Sequence, residues 1–247
     1  MVQYGFFFDQ SRCTGCQTCA VACKNWNGLP PGPLKYLRIY NYEKGSFPNL
    51  RVHSQWIPCY HCEKPVCVNS CPLGAAYKEE SYGAVLIDSE KCDGCRICYE
   101  ACPYGAPVFE SNEIGVCAQK CDMCIQRLKQ GLQPICVLSC PTRALDFGLL
   151  NALVERYGDK RDLEDMPNSQ NTKPAVLFKP YTKKRELVPY NAERALELLA
   201  VRDHLPRTSS SADDITETHE ETTTQDKLII KHSSTDEFMQ HTRSDEG

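Results

Sequence analysis

Long apolar runs are missing from this chain: nowhere in its 247 residues is there a stretch of about 18 consecutive hydrophobic residues, which excludes a membrane-spanning helix. An excess of positive charge is missing too. Lys and Arg number 28 against 32 Asp and Glu, a formal charge of −4, and no basic stripe breaks the balance, so nucleic acid is not an expected partner. No apolar core of a secretory leader follows Met1-Val2-Gln3, and the cysteine total is odd. Both count against a disulfide-stapled secreted domain.

What the chain has in abundance is cysteine, 17 residues of it. Sixteen fall into four groups of four: Cys13, Cys16, Cys19 and Cys23; Cys59, Cys62, Cys67 and Cys71; Cys92, Cys95, Cys98 and Cys102; Cys121, Cys124, Cys136 and Cys140. The first and third have the spacing C-x2-C-x2-C-x3-C, the ligand run of bacterial ferredoxins, in which the fourth cysteine ligates the neighbouring cluster. Three thiolates reach three corners of one cube from a short loop. The three-residue gap from Cys98 to Cys102 places the last thiol about one helical turn on, turned towards a second cube.

The chain also repeats itself. Phe6-Phe7-Phe8-Asp9 before Arg12-Cys13 lines up with Val85-Leu86-Ile87-Asp88 before Lys91-Cys92 at a constant offset of 79 residues, so strand, turn and cluster loop recur as a unit. Cys59-x2-Cys62 with Cys71-Pro72 echoes Cys121-x2-Cys124 with Cys140-Pro141. The order is A, B, A′, B′. The adjacent B and A′ runs make one two-cluster module; the A and B′ runs must close over it as a second, discontinuous one. This assigns four cubes: Cys13, Cys16, Cys19 with Cys140; Cys23 with Cys121, Cys124 and Cys136; Cys59, Cys62, Cys67 with Cys102; and Cys71 with Cys92, Cys95 and Cys98. The predicted fold is α+β, two ferredoxin-like modules with one inserted in the other: residues 58–103 inner, 4–30 plus 117–148 outer, together 1–150.

Prolines follow Cys71, Cys102 and Cys140, fixing φ and removing an N–H where the chain leaves a cluster; Lys24 follows Cys23 instead. Four-thiolate cubes are anionic, which makes Arg12, Lys24, Lys91, Arg96 and Lys120 candidates for setting potentials, against a plain reading as solvated charge. Structural zinc also takes C-x2-C pairs, but four ligands complete such a site and leave the dense triplets without use. Cys117 is left over and reads as a free thiol rather than a spare ligand. His61, inside Cys59-x2-Cys62, reads as a neighbour of the cluster or a surface group rather than a ligand.

The stretches YGFFFDQSRCTGCQTCAVACKNW, PCYHCEKPVCVNSCPLGA, CDGCRICYEACPYGAP and KCDMCIQRLKQGLQPICVLSCPTRALDFG resemble the four-cluster electron-transfer subunits of the dimethyl sulfoxide reductase family of molybdopterin oxidoreductases, from residue 4 to about residue 150. The resemblance implies four [4Fe-4S] clusters, no substrate site, a molybdopterin catalytic subunit as partner and a quinone-reactive membrane anchor as a further one. It implies that the cube of Cys13, Cys16, Cys19 and Cys140 lies nearest the catalytic subunit and that of Cys71, Cys92, Cys95 and Cys98 nearest the quinone side. It also implies attachment to the outer, periplasmic face of a membrane by export on a partner with a twin-arginine leader, with a cytoplasmic location as the alternative. A free polyferredoxin carrier and a zinc-stabilised scaffold are the competing functions.

Between the first two groups, Leu37 to Glu43 and Arg51 to Pro58 read as a hairpin around Lys44-Gly45-Ser46, a packing insert rather than a site. Leu149 to Tyr157 and Ala192 to His204 have helical spacing. Residues 159–189, with prolines at 167, 174, 180 and 189, read as extended chain on a surface, making 151–207 a docking arm and helix. From Thr208 the chain holds ten acidic residues against three Lys or Arg, the composition of a disordered tail, with Leu228-Ile229-Ile230 as a lone apolar patch. A chain giving so much interior to clusters is expected to depend on its metal for folding.

Overall fold

Three consecutive phenylalanines organise the fold. In a strand, neighbouring side chains point to opposite faces. Phe6 and Phe8 therefore pack into one core and Phe7 into another, and all three are buried. The computed structural model describes residues 2–46, 50–164 and 166–182, all within the unit Met1–Lys184. The helix expected at Ala192–His204, the far end of the arm and the acidic tail with Leu228-Ile229-Ile230 lie outside the described residues.

In chain order the elements are β1 (Tyr4–Asp9), α1 (Thr18–Trp26), β2 (Arg38–Lys44), β3 (Arg51–Ile57), α2 (Val66–Asn69), β4 (Ala76–Lys78), β5 (Val85–Ile87), α3 (Ile97–Ala101), α4 (Ile125–Leu128), α5 (Ile135–Leu138), β6 (Leu145–Leu149), α6 (Leu150–Tyr157) and β7 (Val176–Lys179). The fold is mixed α and β, with short helices and three small sheets: β6-β1-β7, β2-β3 and β4-β5.

The internal repeat reappears as register. Antiparallel β1 and β6 pair Phe8 with Leu145 and Phe6 with Phe147; antiparallel β5 and β4 pair Ile87 with Ala76 and Val85 with Lys78. Phe8 stands five residues before Cys13 and Ile87 five before Cys92, while Leu145 and Ala76 stand five after Cys140 and Cys71. The two ladders therefore occupy the same place relative to their cysteines. Asp9 N–H donates to Ala144 at 2.8 Å and Asp88 N–H to Ala75 at 2.8 Å, closing both in the same way.

On one face of β1, Phe6 packs against Trp56 with ring centres 5.2 Å apart, and Tyr60 and Phe178 complete a fully buried aromatic cluster. On the other face Phe7 stacks on Tyr157 of α6 at 3.7 Å, beside Leu150 and Leu153. Such an aromatic pair contributes about 0.5–1.5 kcal/mol beyond the area it buries.

The expected hairpin is present within a residue at each end, in register from Arg38 with Ile57 to Lys44 with Arg51. The expected helix is α6, and Leu149 closes β6 instead of opening it.

The extended surface chain expected over residues 159–189 is corrected by β7. Ala175, Val176, Leu177 and Phe178 are each at most 2% exposed, and β7 pairs in parallel with β1. Four successive apolar residues buried on both faces are the pattern of a covered parallel strand, here at the edge of its sheet, and the prolines on either side, Pro174 and Pro180, delimit it. With α6 and β7 both packed on β1, residue 150 is not where the unit ends.

Gly5 tests this packing. A Cβ there would stand 2.6 Å from the Ala175 carbonyl oxygen and 2.8 Å from Leu150 Cδ1, so Gly5→Ala is expected to cost about 1–3 kcal/mol through overpacking. Gly148→Ala, whose Cβ would meet nothing closer than 3.9 Å, should leave the chemical-denaturation midpoint where it is. Equal midpoints for the two variants would refute this account of the β1–β7 contact.

Candidate metal centre

Each cluster loop is bent by residues that hold positive φ. Gly15 (φ 69°) and Gln17 (φ 59°) shape the first, and Gly94 (φ 73°) and Arg96 (φ 65°), 79 residues later, shape the third. Left-handed residues alternating with right-handed ones turn successive N–H groups into one concavity, a nest suited to an anionic group. Close packing also demands the glycines. A Cβ on Gly94 would lie 2.5 Å from the Val116 carbonyl oxygen, and one on Gly15 would run into the Asn41 side chain.

Several thiols that the spacing groups together lie close enough to raise one another's proton affinity. Burial first, then the charges of Cys13, Cys140 and Cys16, pushes Cys19 up to about 12. Burial and then Cys124 push Cys23 up to about 12, and burial followed by Cys124 and Cys23 raises Cys136. For Cys62 the causes are burial, then Cys59, with Cys102 and Cys67 adding to them. For Cys98, pushed up to about 11, they are burial, then Cys92, Cys95 and Cys71. A cavity is lined by these same four, Cys71, Cys92, Cys95 and Cys98, together with Gly94 and Ala118. Thiols must release their protons to bind iron.

Thiols also act on one another across the expected sets. Cys19 reaches the second set through Cys23 and Cys136, Cys121 of the second set feels Cys59 of the third, and Cys67 of the third feels Cys98 of the fourth. Cys16 and Cys95, in the first and fourth sets, are exposed, while the cysteines of the second set are buried.

The crossed ligands show why proline follows three of them and not the fourth. After Cys71, Cys102 and Cys140 the chain turns back, and the N–H groups of Ala76, Ala106 and Ala144 donate to those sulfurs at 3.4, 3.5 and 3.3 Å. Cys23 sits inside α1, where proline at position 24 would interrupt the helix. Its sulfur instead faces Asn27 Nδ2 at 3.6 Å.

Around the sets stand residues that motif reading passed over. Ser54 of β3 holds Asn41 of β2 at 2.8 Å, and burial, which raises Cys13, is opposed there by the Gly15 N–H and the Ser54 hydroxyl. The hairpin read as a packing insert therefore also touches the first set. Thr172 hydrogen-bonds Tyr104 at 2.9 Å and lies against Cys62; nothing in the local sequence marks it. His61 is fully buried, with Nδ1 accepting from Val85 N–H at 3.0 Å, so its reading as a surface group is corrected. Burial, then Lys120 and Lys78, holds its imidazole neutral.

Of the candidate cations, Arg12 and Lys91 pair with Asp9 and Asp88, Lys24 bonds the Gly32 carbonyl at 2.7 Å, and Arg96 lies over Phe109. Lys120 is buried. Cys117 lies beside Cys92 and Cys98.

Comparison with known proteins agrees with the thiol pattern. A 4Fe-4S dicluster domain matches residues 53–150. The iron-sulfur subunit of the anaerobic dimethyl sulfoxide reductase of Escherichia coli (strain K12) is 44% identical over 191 residues, 74% of this chain and 91% of the relative. The protein belongs to the iron-sulfur subunits of the dimethyl sulfoxide reductase family. Similar too is the corresponding subunit of the sulfite dehydrogenase of Allochromatium vinosum, 35% identical over 75% of this chain and 86% of the relative. That of the selenate reductase of Mesobacillus selenatarsenatis is 35% identical over 71% and 67%. As a member, the protein is a non-catalytic electron-transfer subunit that binds [4Fe-4S] clusters, and the catalysis belongs to the molybdopterin subunit of the complex. No helix among the described residues is long and apolar enough to cross a membrane.

Replacing Cys117 by serine should leave the iron-to-protein ratio unchanged, because the fourth set is complete without it. Cys98→Ser should lower that ratio by roughly one to four irons, the range between losing one corner of a cube and losing the whole cube. A fall in iron for Cys117→Ser would make Cys117 a ligand and undo the assignment of the fourth set.

Proposed function

We propose that this subunit carries four [4Fe-4S] clusters and relays electrons through them between a quinone-reactive membrane anchor and a molybdopterin catalytic subunit. The observation that carries the reading is that thiols act on one another within and between the expected sets, while Cys16 and Cys95 are exposed. A wire needs contact at its ends and insulation along its length. The bound clusters supply one-electron chemistry; the protein supplies thiolates, N–H groups and exclusion of water.

The clusters are held by Cys13, Cys16, Cys19 and Cys140; by Cys23, Cys121, Cys124 and Cys136; by Cys59, Cys62, Cys67 and Cys102; and by Cys71, Cys92, Cys95 and Cys98. They occupy two ferredoxin-like modules, the inner (58–103) inserted in the outer (4–30 plus 117–148). Supporting this are the matching registers of β1–β6 and β5–β4 and the matching left-handed residues of the first and third loops. The end with Cys16 faces the catalytic subunit. On α1, which begins two residues after Cys16, and on α5 packed against it, Val21, Trp26 and Leu138 are 66%, 47% and 54% exposed, apolar surface of the kind a partner covers. The end with Cys95, flanked by exposed Leu73, Ile97 and Tyr99, faces the anchor.

The complex sits on the outer face of the membrane, reached by export of the loaded subunit on a partner with a twin-arginine leader. The names of the relatives include two reductases and a dehydrogenase. Substrate and direction of flow are accordingly set by the catalytic partner.

Metal analysis of the complex isolated without oxygen tests the proposal. About sixteen irons on this chain, four for each of four cubes, and molybdenum or tungsten on a larger companion are expected. The same iron with no companion would instead make the chain a free polyferredoxin.

A further inference from the structure

Lys120 precedes Cys121 in the chain, yet the residue is only 7% exposed. Its Nζ donates to the carbonyl oxygens of Val85 and, at 3.0 Å, of Cys121. The N–H of the same Val85 donates to His61 Nδ1 at 3.0 Å. The first residue of β5 is thus held by one side chain from the second set's loop and one from the third's. Here the two central sets meet, since Cys121 feels Cys59 and Cys67 feels the Lys120 charge.

Among the described residues no carboxylate lies within ion-pair distance of Lys120. A buried ammonium facing neutral carbonyls alone is heavily penalised, so compensating negative charge must come from elsewhere. The thiolates on its two sides, ligands of anionic cubes, supply it.

We propose that Lys120 is the shared counter-charge of the two central clusters and holds their reduction potentials above the values they would otherwise have. The proposal rests on the four-cluster reading. Each reduction brings one electron and no atom into a cube, adding a negative charge close to a fixed positive one. In a medium of low dielectric constant that attraction favours the reduced state. Arg12, Lys24, Lys91 and Arg96 bond away from the clusters or near the surface and do not duplicate it.

The test is a redox titration of the intact complex with dithionite, followed by electron paramagnetic resonance, on the unsubstituted protein and three variants. Lys120→Gln keeps a donor for the carbonyls without the charge, Lys120→Met removes both, and Lys120→Arg keeps the charge. In the Gln and Met variants two midpoints should fall by at least a tenfold change in the reduction equilibrium, about 59 mV for a one-electron couple. The other two midpoints should hold, and the Arg variant should keep all four.

Full iron in Lys120→Gln with four unmoved midpoints would overturn the proposal, as would an equal shift of all four. Should the neutral variants fail to retain clusters, iron restored by Arg would support the role of charge, and iron lost with Arg too would make Lys120 a packing residue. The unsubstituted protein separates the two levels. Fewer than four clusters there refutes the four-cluster reading itself, whatever the variants do.

Discussion

A cube of iron and sulfide takes a thiolate at each of four corners, and a short loop can present only three. Nearly every other feature of this chain follows from that shortage. The fourth thiolate must come from a segment distant in sequence, so each loop depends on another. Cys140 reaches the set of Cys13 across more than half of the described chain. The β1–β6 ladder, whose last pair stands five residues before Cys13 on one side and five after Cys140 on the other, holds the two segments together. Between them lies the whole segment that carries the other two sets, with its own shorter ladder of β4 and β5.

Where clusters fill the interior, apolar side chains must pack what space remains, and they do so with large rings. Phe6, Phe8, Trp56, Tyr60 and Phe178 are each at most 2% exposed, and they join β1, the hairpin and β7 in one layer. A few large rings bury as much surface as many small aliphatics, which suits a chain whose loops are committed to thiol geometry. The same layer keeps water from the third set, where Tyr60, Tyr104 and Thr172 close over Cys62.

The sequence was most legible where chemistry dictates spacing. The strand before each C-x2-C-x2-C loop, the hairpin and α6 all follow from residues whose neighbours in sequence are also their neighbours in the fold. It was least legible where a segment's role is set by a distant partner. Ala175-Val176-Leu177-Phe178 is a short apolar run between prolines, and only the open edge of β1 makes it a strand. Thr172 carries no local signal at all. His61 and Lys120 showed their chemistry but not their burial, which depends on Val85 arriving from another loop.

Insulation and exposure among the thiols have different physical origins, and the difference bears on how electrons enter and leave. Cys16 and Cys95 are exposed because each is the middle cysteine of a loop whose nest is formed by backbone alone, with Gly15 and Gly94 at its bend. No side chain is needed above them. The second set is covered by structure from elsewhere: Cys136 lies in the short helix α5 packed on α1, and Cys121 clusters with Ala106 and Tyr36. Exposure of Cys16 and Cys95 is thus a property of the repeated loop itself. Burial of Cys121, Cys124 and Cys136 comes from elements brought in from other parts of the chain. A single two-cluster unit has no interior set to insulate. Under the proposed nesting of two such units, the set of Cys23, Cys121, Cys124 and Cys136, all of them buried, would be the interior one.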